Sequence, residues 1–416
     1  MADSSPPCLV RCRAHLSIRI PRRGRRRRVF RDIRVPTSVR PAHSPAVTEP
    51  EALIALNMLP RLGPVRIGRL LERFGSAPAV LGAPAARTQA VNGIGPELAR
   101  ILHRWEDHAD LAGELRRIRT RGLQLLTAED ADWPEAFRHM PDAPVVLYVW
   151  GRLAARDRHA FAIVGSRRAT NYGRTCARKF SFQLAHAGFT IISGLARGID
   201  TAAHEGALAA RGRTVAVLGS GLGQLYPPEN MPLAERIAEG SGAVVSEFPI
   251  DTPPDQQTFP QRNRIVAGWC EGLMVVECPR KSGAIITANL AGEYGRHVFA
   301  IPGPIDQPQS EGCHALIRTG ATLVTDGAQV LDELSQLPLE ARSDPPLAQP
   351  AGPAAETHLS DAEQAILAQL GSRERNIDEL VTAAGLPASV VATTLLRLEM
   401  KSLVKQLPGS YFVRES

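Results

Sequence analysis

A chain of 416 residues with 44% hydrophobic content can bury a sizeable core in two or three domains. No apolar run approaches the roughly 18 residues that span a bilayer, which excludes a helical membrane protein. The net charge of +7 belongs to one end: residues 1–45 hold twelve arginines against Asp3 and Asp32, and +7 less that +10 leaves −3 for the remainder.

Residues 1–48, including PRRGRRRRVF at 21–30, lack sustained apolar periodicity and are expected to be a disordered tail. No apolar segment follows the charges, so the tail is not a secretory signal. A nucleic-acid-binding arm and an upstream extension or misassigned start are both open readings. From 49 to 120 the signals are helical. LPRLGPVRIGRLLERFG (59–75) sets a tight Leu-Gly-Pro turn before an amphipathic helix closed by Gly75, and VNGIGPELARIL (91–102) repeats the device. Such hairpins bring glycine amides and a helix start to one point where a phosphate fits, yet Glu97 in the first turn of the second helix repels one. Packing and DNA contact stand side by side for this layer.

From 145 the period changes. VVLYVW, FAIVG, FTIISG, TVAVLG, GAVVSE, LMVVE and HVFAIPG are short continuous apolar runs with helical segments between several of them. Runs of this kind are strands buried on both faces, hence a largely parallel sheet in α/β layering, here assigned to residues 121–335. QLPLEARSDPPLAQPAGPAAE follows as a proline-rich linker, 336–358. In 359–416 a capping box at Ser360-Asp-Ala-Glu363 precedes one helix, and IDELVTAAG, ending at Gly385, is a second. ASVVATTLLRLEM makes a third and LVKQLPGSYFV a hairpin turning at Pro-Gly. Three helices and a two-stranded wing make a winged-helix layout. Its third helix offers Arg397 but is otherwise apolar or acidic, which favours protein contact or structural support over reading a major groove.

The chemistry gathers at the ends of the strands. GSGLGQ (219–224) has Gln224 where a dinucleotide fingerprint needs glycine, and no P-loop lysine motif occurs, so no nucleotide cofactor is expected. The six cysteines are scattered without zinc-ligand spacing and read as free thiols of a reducing compartment, so neither a metal nor disulfides are expected. Instead, Gly165-Ser166-Arg167, SGLARGIDTAAH (193–204), FPQRNR (259–264) and RKSGAIITA (280–288) all fall at strand ends, on the edge where a doubly wound sheet binds its ligands. Gly165 lets a backbone approach, Ser166 offers a hydroxyl and Arg167 a guanidinium fork. Lys281-Ser282 leads towards a helix start, adding a cation and orphan amides. Arginine outnumbers lysine 45 to 4, so position carries more weight than number. No Ser-His-Asp spacing, histidine cluster or paired carboxylate accompanies these loops. His204 reads as structural and Glu277 as an ion-pair partner. Phe259, just ahead of Arg262, supplies an aromatic face for a base, and cations with an aromatic along a groove hold single strands without sequence preference.

Taken together, GSR (165–167), SGLARGIDTAAH, YPPEN (226–230), FPQRNRI, KSGAIITA (281–288) and VFAIPG (298–303) resemble the DNA-processing protein A family, also called DprA or Smf. The resemblance covers 49–416. It implies an extended Rossmann-like domain behind a helical hairpin-type or SAM-like domain and ahead of a winged helix. It also implies single-stranded DNA binding, a cytoplasmic homodimer and recruitment of the RecA recombinase in natural transformation. By position, Arg167, Arg262, Asn263 and Arg264 would contact phosphate, Lys281 would add charge, and Phe259 would flank a base. Some relatives carry a lysine just before this phenylalanine, where Asp255-Gln256-Gln257-Thr258 stands here, which implies weaker affinity per monomer and a larger role for dimerisation.

Two rival readings stand beside this one. Nucleotide phosphoribohydrolases resemble the chain in glycine turns, but their Pro-Gly-Gly-x-Gly-Thr-x-x-Glu motif is replaced here by Lys-Ser-Gly-Ala-Ile-Ile-Thr-Ala, without the acid. A ligand-sensing regulator that reads duplex DNA with the winged helix is the other.

Overall fold

The computed structural model describes residues 47–335 and, further on, 361–370, 375–385, 387, 390–391, 394–395, 398, 404–407 and 411–414. The tail to residue 46, the proline-rich linker, Ser360, Arg397 and the Pro-Gly turn of the wing lie outside the described residues. The chain divides into two units near residue 338.

Helices open the first unit: α1 (Glu49–Met58), α2 (Pro64–Phe74), α3 (Ala77–Leu81), α4 (Ala85–Gln89), α5 (Pro96–His103) and α6 (Leu111–Thr120). Proline at the first position of α2 and of α5 costs no hydrogen bond, because that amide has no partner in a helix anyway. Gly75 ends α2 at φ 83°, a conformation open to a residue without Cβ, and returns its amide to the Leu71 carbonyl at 2.7 Å.

Nine strands form one sheet. They are β1 (Gln124–Leu126), β2 (Leu147–Gly151), β3 (Ala160–Val164), β4 (Thr190–Ser193), β5 (Thr214–Val217), β6 (Gly242–Ser246), β7 (Gly272–Val275), β8 (His297–Ala300) and β9 (Thr322–Leu323), ordered β1-β2-β6-β5-β4-β3-β7-β8-β9. From β6 to β9 every pairing is parallel, while β2 runs antiparallel to β6 and β1 antiparallel to β2. The seven apolar runs are all strands; β1 and β9, at three and two residues, were not expected.

Helices α7 (Asn171–His186), α8 (Ile199–Ala209) and α13 (Gly327–Ser335) cover one face, where Phe161 and Ile163 of β3 meet Phe180, Leu184, Ala203 and Val330. The other face carries α10 (Thr258–Trp269), α11 (Gly283–Glu293) and α12 (Glu311–Arg318), against which Ala160, Ala162 and Val164 of the same strand point. Successive side chains of a strand leave on opposite faces, so β3 must be apolar throughout. Helix α9 (Met231–Arg236) packs over β5 and β6 through Leu233 and Ala234. The early helices bury their core against Val146, Tyr148 and Ile250, and Asn57 donates to the Glu247 carbonyl at 2.7 Å.

In the second unit, α14 (Asp361–Gln369) and α15 (Ile377–Ala384) precede a three-stranded sheet of β10 (Arg375–Asn376), β11 (Val404–Leu407) and β12 (Tyr411–Arg414), ordered β10-β12-β11. Residues 390–391, 394–395 and 398 are helical, and Val391, Leu395 and Leu398 share a core with Ile366, Leu380 and Phe412. The winged-helix layout is present, with β10 as an added strand beside the hairpin. Among the described residues no helix is long and apolar enough to cross a membrane, no cluster could hold a metal, and Cys176, Cys270, Cys278 and Cys313 are free thiols.

Candidate nucleic-acid interface

The chain starts its parallel sheet at β3, builds outward through β4, β5 and β6, then returns to lay β7 on the opposite side of β3. The loops after β3 and β7 therefore diverge, and a crevice opens between them at the carboxyl edge of the sheet. A cavity of about 600 Å³ lies there, lined by residues of all four sequence motifs.

The first wall is the turn after β3. A Cβ at Gly165 would stand 2.6 Å from the Ile199 side chain and 2.9 Å from the Glu277 carbonyl oxygen. The missing Cβ therefore makes room for the Ile199 side chain and the Glu277 backbone, and Gly165 also lines the cavity. Ser166 donates its amide to the Glu277 carbonyl at 2.6 Å, and its Oγ accepts the Arg168 amide at 3.1 Å. Its hydroxyl hydrogen is the group it can offer. Glu277 is not the ion-pair partner expected. Its carboxylate accepts the Thr170 amide at 2.8 Å and the Thr170 hydroxyl at 2.6 Å, and so fixes the turn into α7. Arg167 is exposed and lays its guanidinium over the Phe259 ring, 4.7 Å from the centroid. That contact is a cation–π attraction that orients both groups.

The opposite wall is α10 and the start of α11. FPQRNR, expected at a strand end, is helical because the turn begins at Thr258. Phe259 is half-buried, with Gly219 beneath it and Tyr226 beside it at 6.1 Å between centroids. Trp269 anchors the far end of α10 edge-on to Phe137 at 5.0 Å, a packing worth about 0.5–1.5 kcal/mol beyond area burial. Asn263 stands over Gly283. Ser282 caps α11, its Oγ accepting the Ala284 amide at 3.2 Å, and Lys281 beside it is exposed.

The two arginines of Arg262-Asn263-Arg264 part company. Arg262 is 4% exposed, lines the cavity, and donates to the Val217 carbonyl at 2.5 Å, while its Nε has no partner. Asp200 shares this depth, its carboxylate accepting the Gly194 and Ala196 amides at 3.2 and 3.3 Å. Burial pushes the Asp200 carboxyl above its usual range, with Arg262 and Arg167 pulling it back. Two residues along a helix is a rotation of about 200°, and Arg264 points elsewhere. It is buried and donates to the Glu247 carboxylate and to the Asp142 carbonyl. The structure thus gathers Gly165, Ser166, Arg167, Phe259, Arg262, Asn263, Lys281 and Ser282 around one cavity and leaves Arg264 out of it.

His204 is structural, as expected. It lies fully buried with Nδ1 2.7 Å from the Thr214 hydroxyl, and burial, with the Arg262 charge second, lowers its pKa to about 3. The YPPEN motif braces the second loop: Asn230 donates to the Leu195 carbonyl at 2.8 Å and Glu229 pairs with Arg197. Sequence reasoning missed Asp200, which is one helical turn before His204 inside a quoted motif, and Arg168, which directly follows the GSR turn.

With this geometry in place, the comparisons with known proteins converge. The sequence model of the DNA recombination-mediator protein A family matches residues 124–335, and that of the DprA winged helix domain matches 349–410. Protein Smf of Synechocystis is 34% identical over 394 residues, 87% of this chain and 98% of that protein. Protein Smf of Escherichia coli is 41% identical over 287 residues, 69% of this chain and 76% of that protein. The X-ray structure of DNA processing protein A (DprA) from Streptococcus pneumoniae aligns with a TM-score of 0.60 at 35% identity, covering 69% of this chain and 98% of that one. This chain belongs to the DNA recombination-mediator protein A family, the DprA/Smf proteins of DNA processing.

Proposed function

We propose that this protein holds single-stranded DNA by its backbone at the carboxyl edge of the sheet, without sequence preference, and passes it to RecA during recombination or transformation. The observation that carries the reading is the cavity itself. Four cations, Arg167, Arg168, Arg262 and Lys281, line it against one carboxylate, Asp200, with Phe259 in the same wall. Cations bind phosphate in any sequence, and a ring stacks on any base. Asp200 accepts two backbone amides and faces Arg262, which suits a bracing role and not that of a free base or nucleophile. A nucleotide-releasing enzyme is therefore the weaker reading.

In this proposal residues 121–335 bind the strand, 49–120 support it, and 359–416 serve contact with a protein. Two copies working as a homodimer raise the effective affinity of each modest site. The test is fluorescence anisotropy of a labelled mixed-sequence single strand over a salt series, with a duplex of equal length beside it. Replacing Arg167 and Lys281 together by alanine is expected to weaken binding to every sequence and to lower the salt slope by about 1.4, roughly 0.7 per phosphate contact. Wild-type preference for duplex, or a slope unchanged in the variant, rejects the reading.

A further inference from the structure

A second cavity, of about 250 Å³, adjoins the first and was not foreseen from the sequence. It lies where α7 meets α8. Arg167, Arg168, Arg174, Arg178 and Arg197 line it, and Glu205 is the single acid among its lining residues. Arg167 and Arg168 line both cavities, so the two are neighbours across this turn.

The arginines here are held in place more than they are neutralised. Arg174 donates to the Ala169 carbonyl at 2.8 Å, a contact that leaves its charge uncompensated. Arg178 is drawn to Glu205 through two contacts of 2.9 and 2.6 Å, and Arg197 is braced by Glu229 and by the Tyr226 hydroxyl at 3.1 Å. Two of the five guanidinium groups thus form direct ion pairs with a carboxylate, in a body whose sequence outside the tail is net acidic. Arg174 and Arg178 are four residues apart on α7, so they share a face with about 6 Å of axial rise between them. Exposed arginines held on one face by their neighbours keep spare donors for phosphate oxygens at little further ordering cost.

We infer that the single strand leaves the sheet-edge cavity over Arg167 and Arg168 and enters this second cavity, where Arg174 and Arg178 hold further phosphates. The inference rests on the proposed function and extends it by a direction and a footprint: the strand runs along the crevice of α7 and α8. It contains no base-stacking ring among its lining residues, so this part of the track reads backbone only.

The experiment uses the full chain and fluorescein-labelled oligothymidylates from about 4 to about 16 nucleotides, the range of single-strand footprints. Arg174→Ala/Arg178→Ala is compared with wild type, with Arg174→Lys/Arg178→Lys, and with Lys281→Ala/Phe259→Ala. The expected result is length-dependent. The shortest strands bind wild type and the arginine-to-alanine variant alike, whereas longer strands lose on the order of tenfold in affinity at physiological salt and about 1.4 in salt slope. The lysine variant keeps the slope. If long strands bind the alanine variant as tightly as wild type, while Lys281→Ala/Phe259→Ala still weakens binding, the second cavity is not on the path and the inference falls alone. If no length binds wild type, or if Lys281→Ala/Phe259→Ala changes nothing, the sheet-edge reading falls and takes the inference with it. Equal losses at all lengths in the arginine variant also overturn it, since they point to a general change in the fold or field.

Discussion

Two regions of the first unit are written in the same local grammar, a glycine turn, a helix start and nearby arginines, and their arginines are engaged differently. In the helical layer Arg61 pairs with Glu97 at 2.7 Å, Arg66 donates to the Arg61 carbonyl at 2.7 Å, and Arg69 donates to the Asn92 carbonyl at 3.3 Å. Glu97, which the sequence places where a phosphate would sit, is engaged by the layer's own arginine. At the sheet edge Arg167 meets a ring instead of an acid, Lys281 is exposed beside the capped start of α11, and a cavity lies between them. The motif alone does not make an anion site. What matters is whether the donors are already spent and whether the backbone leaves room.

The same distinction recurs within α10, and it gives the sharpest way to break the comparison. Arg264→Ala leaves Glu247 buried without its partner, so a loss of about 3–5 kcal/mol in stability is expected by denaturant titration. Replacing both residues by apolar ones, Arg264→Met with Glu247→Leu, should recover most of it. A stable Arg264→Ala protein with weakened DNA binding would instead return Arg264 to the site. Next in size is the ring. Phe259→Ala is expected to cost about 1–3 kcal/mol of single-strand affinity regardless of base composition. A loss confined to one base would show that the wall reads sequence.

A third probe asks how far the sheet edge rests on its buried polar groups, among them His204. With a folded pKa of about 3 against an ordinary value of 6.5, His204 stays neutral in the fold but protonates on unfolding. Its stability contribution is complete above 6.5 and is lost as pH falls towards 3. Between pH 6 and pH 5 the expected loss is on the order of 1 kcal/mol. His204→Gln should flatten that stretch, and an unchanged pH profile would remove the histidine from the account. The smallest effect is reserved for the helical layer: Arg66→Ala/Arg69→Ala should change single-strand affinity by less than about 0.5 kcal/mol, as surface changes away from a site do. A larger drop in anisotropy titrations would make the glycine hairpins a DNA contact after all.

The sequence by itself determined the frame. Strands buried on both faces are largely apolar, so seven stand out as Val/Ile-rich runs, and six of them, β3 to β8, lie parallel. Turns with glycine and serine at the ends of such strands mark the carboxyl edge of the sheet, and the proline-rich stretch separates the winged helix. The tertiary structure decided what lies within two or three residues, or across the fold. Strands β1 and β9 are too short to show a period and exist because a neighbouring strand offers them partners. Arg262 and Arg264 read alike in the sequence, but helical rotation sends one to the cavity and the other into Glu247. Gly165 makes room for Ile199 and Glu277, residues 34 and 112 positions away in number. The five arginines of the second cavity come from a turn, from α7 and from the loop before α8, and only the packing of α7 on α8 brings their charges together. Charge at a site depends on distances between groups, and those distances are set by the packing of elements that are far apart along the chain.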